Sequence, residues 1–527
     1  TKYASSDYTK QGEYSSSKSR SWRYTMNTGI AYALSLNDHN LTFNGRAEIR
    51  STSSNTESFV ATGFPKGVGA IPSFAYSFKE NSTPGYSESI SRGVSFLGTF
   101  NYNYKYRYLF DASLSSDGST SFGRDKKFQT FWSVGAGWNV SKESFAKDWD
   151  WMQELKVRGS FGSNGNQNVS NLTSTVYSYY AGSDIFGTAS YLSGYANPNL
   201  EWQVVKKTSV GIDLMFWDNR LLLTMDYYHT NTNPLVVSIQ QKPSSGLSTL
   251  PINLGHLNTN GFEFNVSWYA IRNLEKRIML NFRLNGNTYK SVYGGFGEAL
   301  ANLNDAYKKD SSVDSKLNVN SMIQYQDGES PTALFAVRSL GIDPATGKEV
   351  FLTKNGTPTF DYNADDRVKI ADTNPKIRGV FGISFTYKNL QASVNLRYNL
   401  GSFAFNSALF NKVENISASN IAYNQDKRAL YSRWQNAGDV SQFKGISLTT
   451  QTPISSRFVQ RDNYLRGESA RISWDFSRDE WIKRLFLKDL RFNVSFNDFF
   501  DLSEMKRERG TDYPFQRAIS FGLSARF

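Results

Sequence analysis

The sequence predicts an all-β protein, a transmembrane antiparallel β-barrel, and three observations lead to this fold. Apolar and polar residues alternate along most of the chain, many alternating segments run for ten residues or so, and short turns alternate with long polar connections. Alternation with period two is typical of strands that have two unlike faces. A strand of roughly 9–11 residues is long enough to cross a bilayer at a tilt.

The alternation is clearest in residues 391–400, QASVNLRYNL, where Ala392, Val394 and Leu396 share a face opposite Ser393 and Asn395. The same pattern recurs in residues 41–50, 262–268, 278–285 and 470–477. A soluble β-sandwich shows the same period, because its apolar face is buried against a second sheet. Strand length and loop order must therefore separate the two architectures.

The connections between the alternating segments differ in length in a regular way. Short ones are expected near Asn37-Asp38, Lys105-Tyr106, Asp218-Asn219, Asn273 to Glu275 and Asn389. Long polar stretches lie between them, at about 51–91, 164–200, 231–259, 290–330 and 402–463. Short turns on one side and long loops on the other are the layout of an outer-membrane barrel.

The composition agrees with strands and excludes several classes of site. Aromatic residues make up 15% of the chain and 39 residues are glycine, and no run reaches the roughly 18 apolar residues of a transmembrane helix. The chain has no cysteine, which excludes disulfides, thiolate chemistry and cysteine-bound metals within it. The formal charge of +12 is dispersed among acidic residues, so we expect no nucleic-acid partner. No nucleophile, base and acid stand in a recognisable set, which predicts a protein that is not an enzyme.

Several segments, in order along the chain, resemble the barrel of SusC/RagA-type TonB-dependent transporters of Bacteroidota. They are NYNYKYRYLFDASLSSDGSTSFGRDKKFQTFWSVGAGWNVSKESF (101–145), LKVRGSFGSNGNQ (155–167), NPNLEWQVVKKTSVGIDLMFWDNRLLLTMDYY (197–228), NLGHLNTNGFEFNVSW (253–268) and NPKIRGVFGISFTYKNLQASVNLRYNLG (374–401). The segment YLRGESARISWDFS, from residue 464, departs from the leucine-rich form usual in the family.

The resemblance implies a 22-stranded outer-membrane barrel with an N-terminal plug domain. We expect about 17 strands in this chain, an odd number, whereas closed barrels of this class have an even number. Residues 1–527 are therefore predicted to form the C-terminal part of the barrel, with the plug and the first strands absent from this chain. The implied function is import of oligosaccharides or peptides, with energy from TonB-ExbB-ExbD and with a SusD-like surface lipoprotein as partner.

Two other functions remain open at this point. A barrel without active transport would serve as a surface adhesin or assembly component, with its long loops as the binding surface. A soluble glycan-binding protein would have to bury its many apolar strand faces internally, and faces this numerous call for a lipid or protein cover.

One candidate metal site lies in DYNADDRVKIAD. Asp361, Asn363, Asp365 and Asp372 stand at positions 1, 3, 5 and 12 of a calcium-loop pattern, where oxygen ligands would converge on one cation. Asp366 replaces the usual turn glycine, and the alternative interpretation is an acidic surface loop. Beyond this calcium, no cofactor is expected.

Three further groups of residues are assigned roles. Loop tyrosines Tyr177, Tyr179 and Tyr180 are candidates for stacking on a substrate, and loop packing or lipoprotein contact explains them equally well. The charged residues on the polar strand faces are predicted to form ion networks along the barrel wall or with the plug: Arg46, Glu48, Arg50, Arg283, Arg471 and Asp475. The closing strand ISFGLSARF resembles a signal for the barrel-insertion machinery through its residues Phe521, Gly522, Leu523, Ala525 and Phe527, and the alternative is a plain closing strand without a signal.

Overall fold

The fold is almost entirely antiparallel β-structure. The computed structural model of the protein describes residues 12–65, 67, 71–79, 82–120, 122, 126–166, 176–180, 189–194, 197, 199–240, 249–300, 304, 322–416, 418, 421–447, 450–484, 487–506 and 517–527. Within these residues, none of the helices has both the length and the apolar character needed to span a bilayer.

Fifteen strands in the described residues follow the path of the principal sheet. They are β1 (Glu13–Leu36), β2 (His39–Thr62), β3 (Gly85–Tyr104), β4 (Tyr108–Ser119), β5 (Phe128–Asn139), β6 (Met152–Asn166), β7 (Gln203–Phe216), β8 (Leu221–Thr232), β9 (His256–Asn273), β10 (Ile278–Gly294), β11 (Ile377–Tyr387), β12 (Leu390–Leu400), β13 (Tyr464–Asp475), β14 (Asp489–Ser503) and β15 (Ala518–Arg526). The large antiparallel sheet and the predicted all-β class are confirmed.

The chain divides into two compact units. Unit 1 comprises Thr1–Tyr102, Asp111–Ser133 and Asn164–Trp202, and its strands neighbour one another in the order β1-β2-β3-β4-β5. Unit 2 comprises Asn103–Phe110, Val134–Ser163 and Gln203–Phe527, where the order runs from β6 to β15. Within each unit, each of these strands therefore pairs with the strand that follows it along the path.

The short connections lie where the sequence predicts them. Asn37 between β1 and β2 and Lys105 between β3 and β4 have φ of 52°, and Asp218 and Asn219 between β7 and β8 have φ of 54° and 64°. Tight hairpins between twisted strands favour positive φ, and Asn and Asp tolerate it better than other residues with a side chain. The turn at Asn389 follows Lys388, whose φ is 53°.

The first hairpin differs from the expectation. A polar loop from about residue 51 is predicted, whereas β1 and β2 are each 24 residues long and pair from Leu36↔His39 to Glu13↔Thr62. The predicted loop boundary at residue 51 is wrong. Serine and threonine on both faces remove the alternation there, yet the backbones still satisfy their hydrogen bonds by pairing.

Short strands occupy several long connections in the described residues, and fifteen strands on the path are two fewer than the expected seventeen. Ser77–Phe78 pairs with β2, and the other short strands pair among themselves: Val176–Tyr180 with Ala189–Gly194, Val236–Gln240 with Thr249–Asn253, Ala333–Ala336 with Val368–Asp372, Arg338–Ile342 with Glu349–Leu352, Glu349–Leu352 with Pro358–Thr359, and Phe403–Phe405 with Val459–Arg461. Alternation alone does not separate such hairpins from strands of the main sheet.

The residues 322–376 and 402–463 of unit 2 form what we name the loop module. Its helical turns are Ala364–Asp366, Leu409–Glu414, Arg428–Tyr431 and Ser456–Phe458, and the other short helices of the described residues are Pro72–Phe74, Val140–Lys142, Ser144–Ala146 and Glu480–Arg484. A buried cluster around Phe410, Val413, Phe443 and Phe458 lies inside the module. The loop module therefore has its own hydrophobic core.

Candidate functional site

The polar face of unit 2 carries a row of side chains that crosses five strands. Strand register places Asp226 opposite Glu263, Glu263 opposite Asn287, Asn287 opposite Arg378 and Arg378 opposite Asn399. Residues opposite each other in a sheet share a face. This polar row, defined by Asp226, Glu263, Asn287, Arg378 and Asn399, lines a cavity of about 520 Å³ together with Asn265, Asn285 and Arg397.

Several charges along the polar face of unit 2 form ion pairs. Arg158 on β6 lies 2.7 Å from a carboxylate oxygen of Asp226 and 3.1 Å from one of Asp213. Asp226 stands directly opposite Glu263, and like charges at such positions repel. The guanidinium of Arg158 offsets this repulsion for Asp226.

Similar pairs continue toward the later strands of unit 2. Arg397 lies 2.5 Å from Glu468, and Arg466 lies 2.8 Å from Asp501. Arg378 donates to Asn287 at 3.2 Å. The polar face therefore presents fixed charges and amides that can hydrogen-bond a polar ligand or polypeptide.

The sequence-predicted wall residues also contact side chains of their own strand or of the neighbouring strand. In unit 1, Arg46 donates to Asn27 at 2.7 Å and to Glu48 at 2.5 Å. In unit 2 the contacts are Arg283 with Ser384 at 3.2 Å, Arg471 with Asn493 at 2.9 Å, and Asp475 with Arg491 at 3.4 Å. These five of the six residues therefore contact neighbouring side chains on the wall, and a contact with a plug stays a prediction.

The loop module holds a buried ion cluster formed by Arg457, Glu349 and Glu414. The guanidinium of Arg457 lies 2.9 Å from Glu349 and 2.8 Å from Glu414, and the two carboxylate side chains are 4% and 0% exposed. Ser455 donates to Glu349 at 2.5 Å and Thr452 donates to Glu414 at 2.9 Å. One cation thus joins segments that are 108 and 43 residues away in sequence.

Burial changes the ionisation of several groups in the loop module. Burial lowers the pKa of Arg457, but hydrogen bonds to Glu414 and the charge of Glu349 outweigh it, so the pKa is raised overall. Burial lowers the pKa of Arg433 and of Lys444. Burial also raises the pKa of Tyr362 to about 12. These groups sit inside the module, and the shifts follow from packing.

The predicted calcium ligands are placed as follows. Asn363 accepts a hydrogen bond from the backbone of Asp365 at 3.0 Å and caps the turn Ala364–Asp366. Asp372 accepts from the Thr332 hydroxyl at 2.6 Å, and the backbone of Asp361 donates to Thr359. Among the residues that the structure describes, no group of three or more His, Asp or Glu side chains is placed to hold a metal ion. The calcium site remains a prediction.

The other two predicted groups differ in how far the structure describes them. The backbone of Tyr177, Tyr179 and Tyr180 lies in a strand, while their side chains fall outside the described part of the chain. The closing strand β15 pairs with β14 from Asn497↔Ala518 to Asp489↔Arg526. Its side chains Phe521, Leu523 and Phe527 are 72%, 70% and 79% exposed.

Deleting Phe527 tests the predicted assembly signal. The deletion removes the aromatic residue that follows β15, and we expect several-fold less inserted protein if the terminal aromatic is recognised. The measurement is the heat-modifiable fraction of full-length protein in outer membranes. Phe527→Tyr is the control and should insert normally. Normal insertion of the deletion variant would contradict the signal.

Two sets of site residues escape sequence reasoning. The polar row depends on strand register, which the alternation does not provide. The ion cluster of Arg457, Glu349 and Glu414 depends on the fold of a long connection that the sequence describes only as polar. Alternation does place Glu263 and Arg378 on the polar faces of their strands, and this part of the polar row can be predicted from the sequence.

The sequence is similar to a known protein family and to several known proteins. Residues 1–332 match the protein family described as "TonB dependent receptor-like, beta-barrel". The chain is 26% identical over 436 residues to "TonB-dependent receptor P3" of Formosa agariphila, covering 80% of this chain and 41% of that protein. It is 24% identical over 459 residues to "TonB-dependent receptor SusC" of Bacteroides thetaiotaomicron, covering 82% and 44%.

A solved structure of the RagAB peptide transporter matches the fold. Its TM-score is 0.78 at 18% identity, with 94% of this chain and 53% of that chain covered. The chain spans less than half the length of the curated relatives that it matches.

Proposed function

Because the chain belongs to the TonB dependent receptor-like β-barrel family, we propose that it works as the SusC-like barrel of an outer-membrane importer. The family consists of outer-membrane transporters and receptors, and the chain is an outer-membrane protein of SusC/RagA type. We propose in addition that it imports a substrate and works with partner proteins.

The two-faced strands carry the proposal. On one face, the polar row and the ion pairs of Arg158, Arg397 and Arg466 offer hydrogen-bonding groups beside a cavity. On the other face, large apolar side chains such as Trp268 and Ile472 are 47% and 49% exposed. A polar interior and an apolar outer band are what a solute-conducting barrel in a membrane needs.

The proposed partners follow from the relatives. A SusD-like surface lipoprotein would contact the long connections, and TonB-ExbB-ExbD would supply energy through a part of the protein outside this sequence. The matched relatives are a SusC receptor and a RagAB peptide transporter, so the proposed substrates are oligosaccharides or peptides.

Co-purification tests the partner. Full-length tagged protein from outer membranes should carry a stoichiometric surface lipoprotein, and tagged preparations of an unrelated outer-membrane barrel serve as the control. Mass spectrometry of small molecules released from the complex should find peptides or oligosaccharides and thereby decide between them.

Uptake tests the activity itself. Cells that lack the gene should lose uptake of the released substrate, and cells depleted of TonB should lose it as well. Uptake that is unaffected by both changes would overturn import and favour the adhesin function, in which case loss of the gene should reduce surface attachment.

A further inference from the structure

We infer that unit 1 carries a binding site for one phosphate-bearing lipid of the outer leaflet, with an acyl chain in a groove on its apolar face. The groove has a volume of about 900 Å³ and is lined by residues from β1 to β5. Its walls are large side chains: Ile30, Phe43, Phe96, Phe100 and Leu114. The site is independent of the proposed import function.

Side-chain hydrogen bonds identify the face on which the groove lies. Asn44 donates to Thr99 at 3.2 Å, so these two residues share the polar face of β2 and β3. Because successive residues of a strand point to opposite faces, Gly45 and Gly98 lie on the apolar face. Strand register places Gly45 opposite Ile30 on β1. The same reasoning from the Ser113–Ser133 hydrogen bond places Leu114 on the apolar face of β4.

The groove arises from the difference in size between floor and walls. The floor of the groove is formed by Gly45 and Gly98, which have no side chain. The neighbouring side chains of Ile30, Phe96 and Leu114 form the walls and are 74%, 53% and 59% exposed. In an outer-membrane protein an exposed apolar strand face meets lipid. A narrow apolar groove on that face fits a hydrocarbon chain, which has no polar group to satisfy.

A second concavity of about 250 Å³ continues the groove along the same strands. It is lined by Tyr24, Arg92, Thr120 and Phe128, among others. Arg92 lies four residues before Phe96 on β3, about 13 Å along the strand and on the same face. The backbone amide of Arg92 donates to the Thr120 hydroxyl at 3.0 Å, which fixes β3 at this point.

The direction of the groove indicates the leaflet. Arg92 and Thr120 lie toward the long connections, whereas the short turn at Asn37 lies at the opposite end of the strands. Long connections are extracellular in this class of barrel. Aromatic residues such as Tyr24 and Phe128 at this level suit the membrane interface, and a guanidinium beside them suits a phosphate headgroup.

Filling the groove tests the site. Gly45→Leu/Gly98→Leu adds side chains where a Cβ has room, since the nearest atoms are 3.9 Å away at both positions. Ala392→Leu/Ala470→Leu is the matched control, because it adds three carbons at each position, one fewer than in the filled variant, to the apolar face of β12 and β13. Full-length proteins in detergent would be mixed with phosphatidic acid and with diacylglycerol, which differ only by the phosphate, and bound lipid counted by native mass spectrometry.

The wild type and the control should retain phosphatidic acid in preference to diacylglycerol, and the filled variant should retain about tenfold less of it. Arg92→Gln should lose most of the preference for phosphatidic acid, and it keeps the groove and the backbone pairing of β3. Equal retention by wild type and filled variant, or no preference for phosphate in the wild type, would overturn the site. A dimer that dissociates on filling the groove would also overturn it, because the occupant would then be a second copy.

Discussion

Replacing Arg457 by alanine is expected to destabilise the loop module by about 3–5 kcal/mol, because two buried carboxylates lose the guanidinium that pairs with both of them. Glu349 and Glu414 are almost wholly buried, and an unpaired buried charge is far more costly than a paired one. Native-state hydrogen exchange of the amides around Phe410 and Phe458 should then be faster by roughly two to four powers of ten.

Two further variants separate charge from packing. Arg461→Ala removes an exposed arginine four residues away and should leave exchange unchanged. Arg457→Met combined with Glu349→Gln and Glu414→Gln removes all three charges together and should recover much of the lost protection. Unchanged exchange in Arg457→Ala, or no recovery in the triple variant, would contradict a buried ion cluster.

Placing alanine at Gly379 is expected to be the most damaging small change in the main sheet. A Cβ there would overlap the backbone carbonyl oxygen of Asn285 and approach the Tyr398 hydroxyl, which donates to that same oxygen at 2.8 Å. The carbonyl belongs to the neighbouring strand and cannot move away without disturbing the ladder. Overpacking of this kind costs roughly 1–3 kcal/mol.

The measurement for Gly379→Ala is the thermal midpoint of folded full-length protein in detergent, together with the heat-modifiable fraction in membranes. Gly382→Ala on the same strand is the control, because its Cβ would approach only side-chain atoms, the nearest being the amide oxygen of Asn395 at 3.0 Å. Both quantities should fall for Gly379→Ala and stay near wild type for the control. Equal midpoints would show that the sheet relaxes around position 379.

Local signals in the sequence predict the strands and turns well. The alternation of residues 391–400 corresponds to β12, and asparagine and aspartate at positions 37, 218 and 219 predict turns because they tolerate positive φ. The segment from Tyr464, which departs from the family pattern, still forms the strand β13. Period and turn chemistry are properties of neighbouring residues, so one sequence reveals them.

Long-range features lie beyond such reasoning. The placement of Asp226 opposite Glu263 depends on register between strands, and a shift of one residue would move every side chain to the other face. The contact of Arg457 with Glu349 joins residues 108 positions apart within a folded connection. Counting strands from the sequence has the same difficulty. Hairpins within the long connections alternate with the same period as the main sheet, so about seventeen strands are expected where fifteen follow the path in the described residues.

Cysteine accessibility along β12 would show whether these strands cross a membrane with one face to lipid. The chain has no cysteine, so each introduced one is alone in these residues. Single cysteines at positions 391 to 398 would be labelled in outer membranes with a water-soluble maleimide and with a lipid-soluble probe. We predict that Gln391, Ser393 and Asn395 positions react with the first, and Ala392, Val394 and Leu396 positions with the second. Labelling without this alternation would show that β12 does not cross a membrane with one face to lipid.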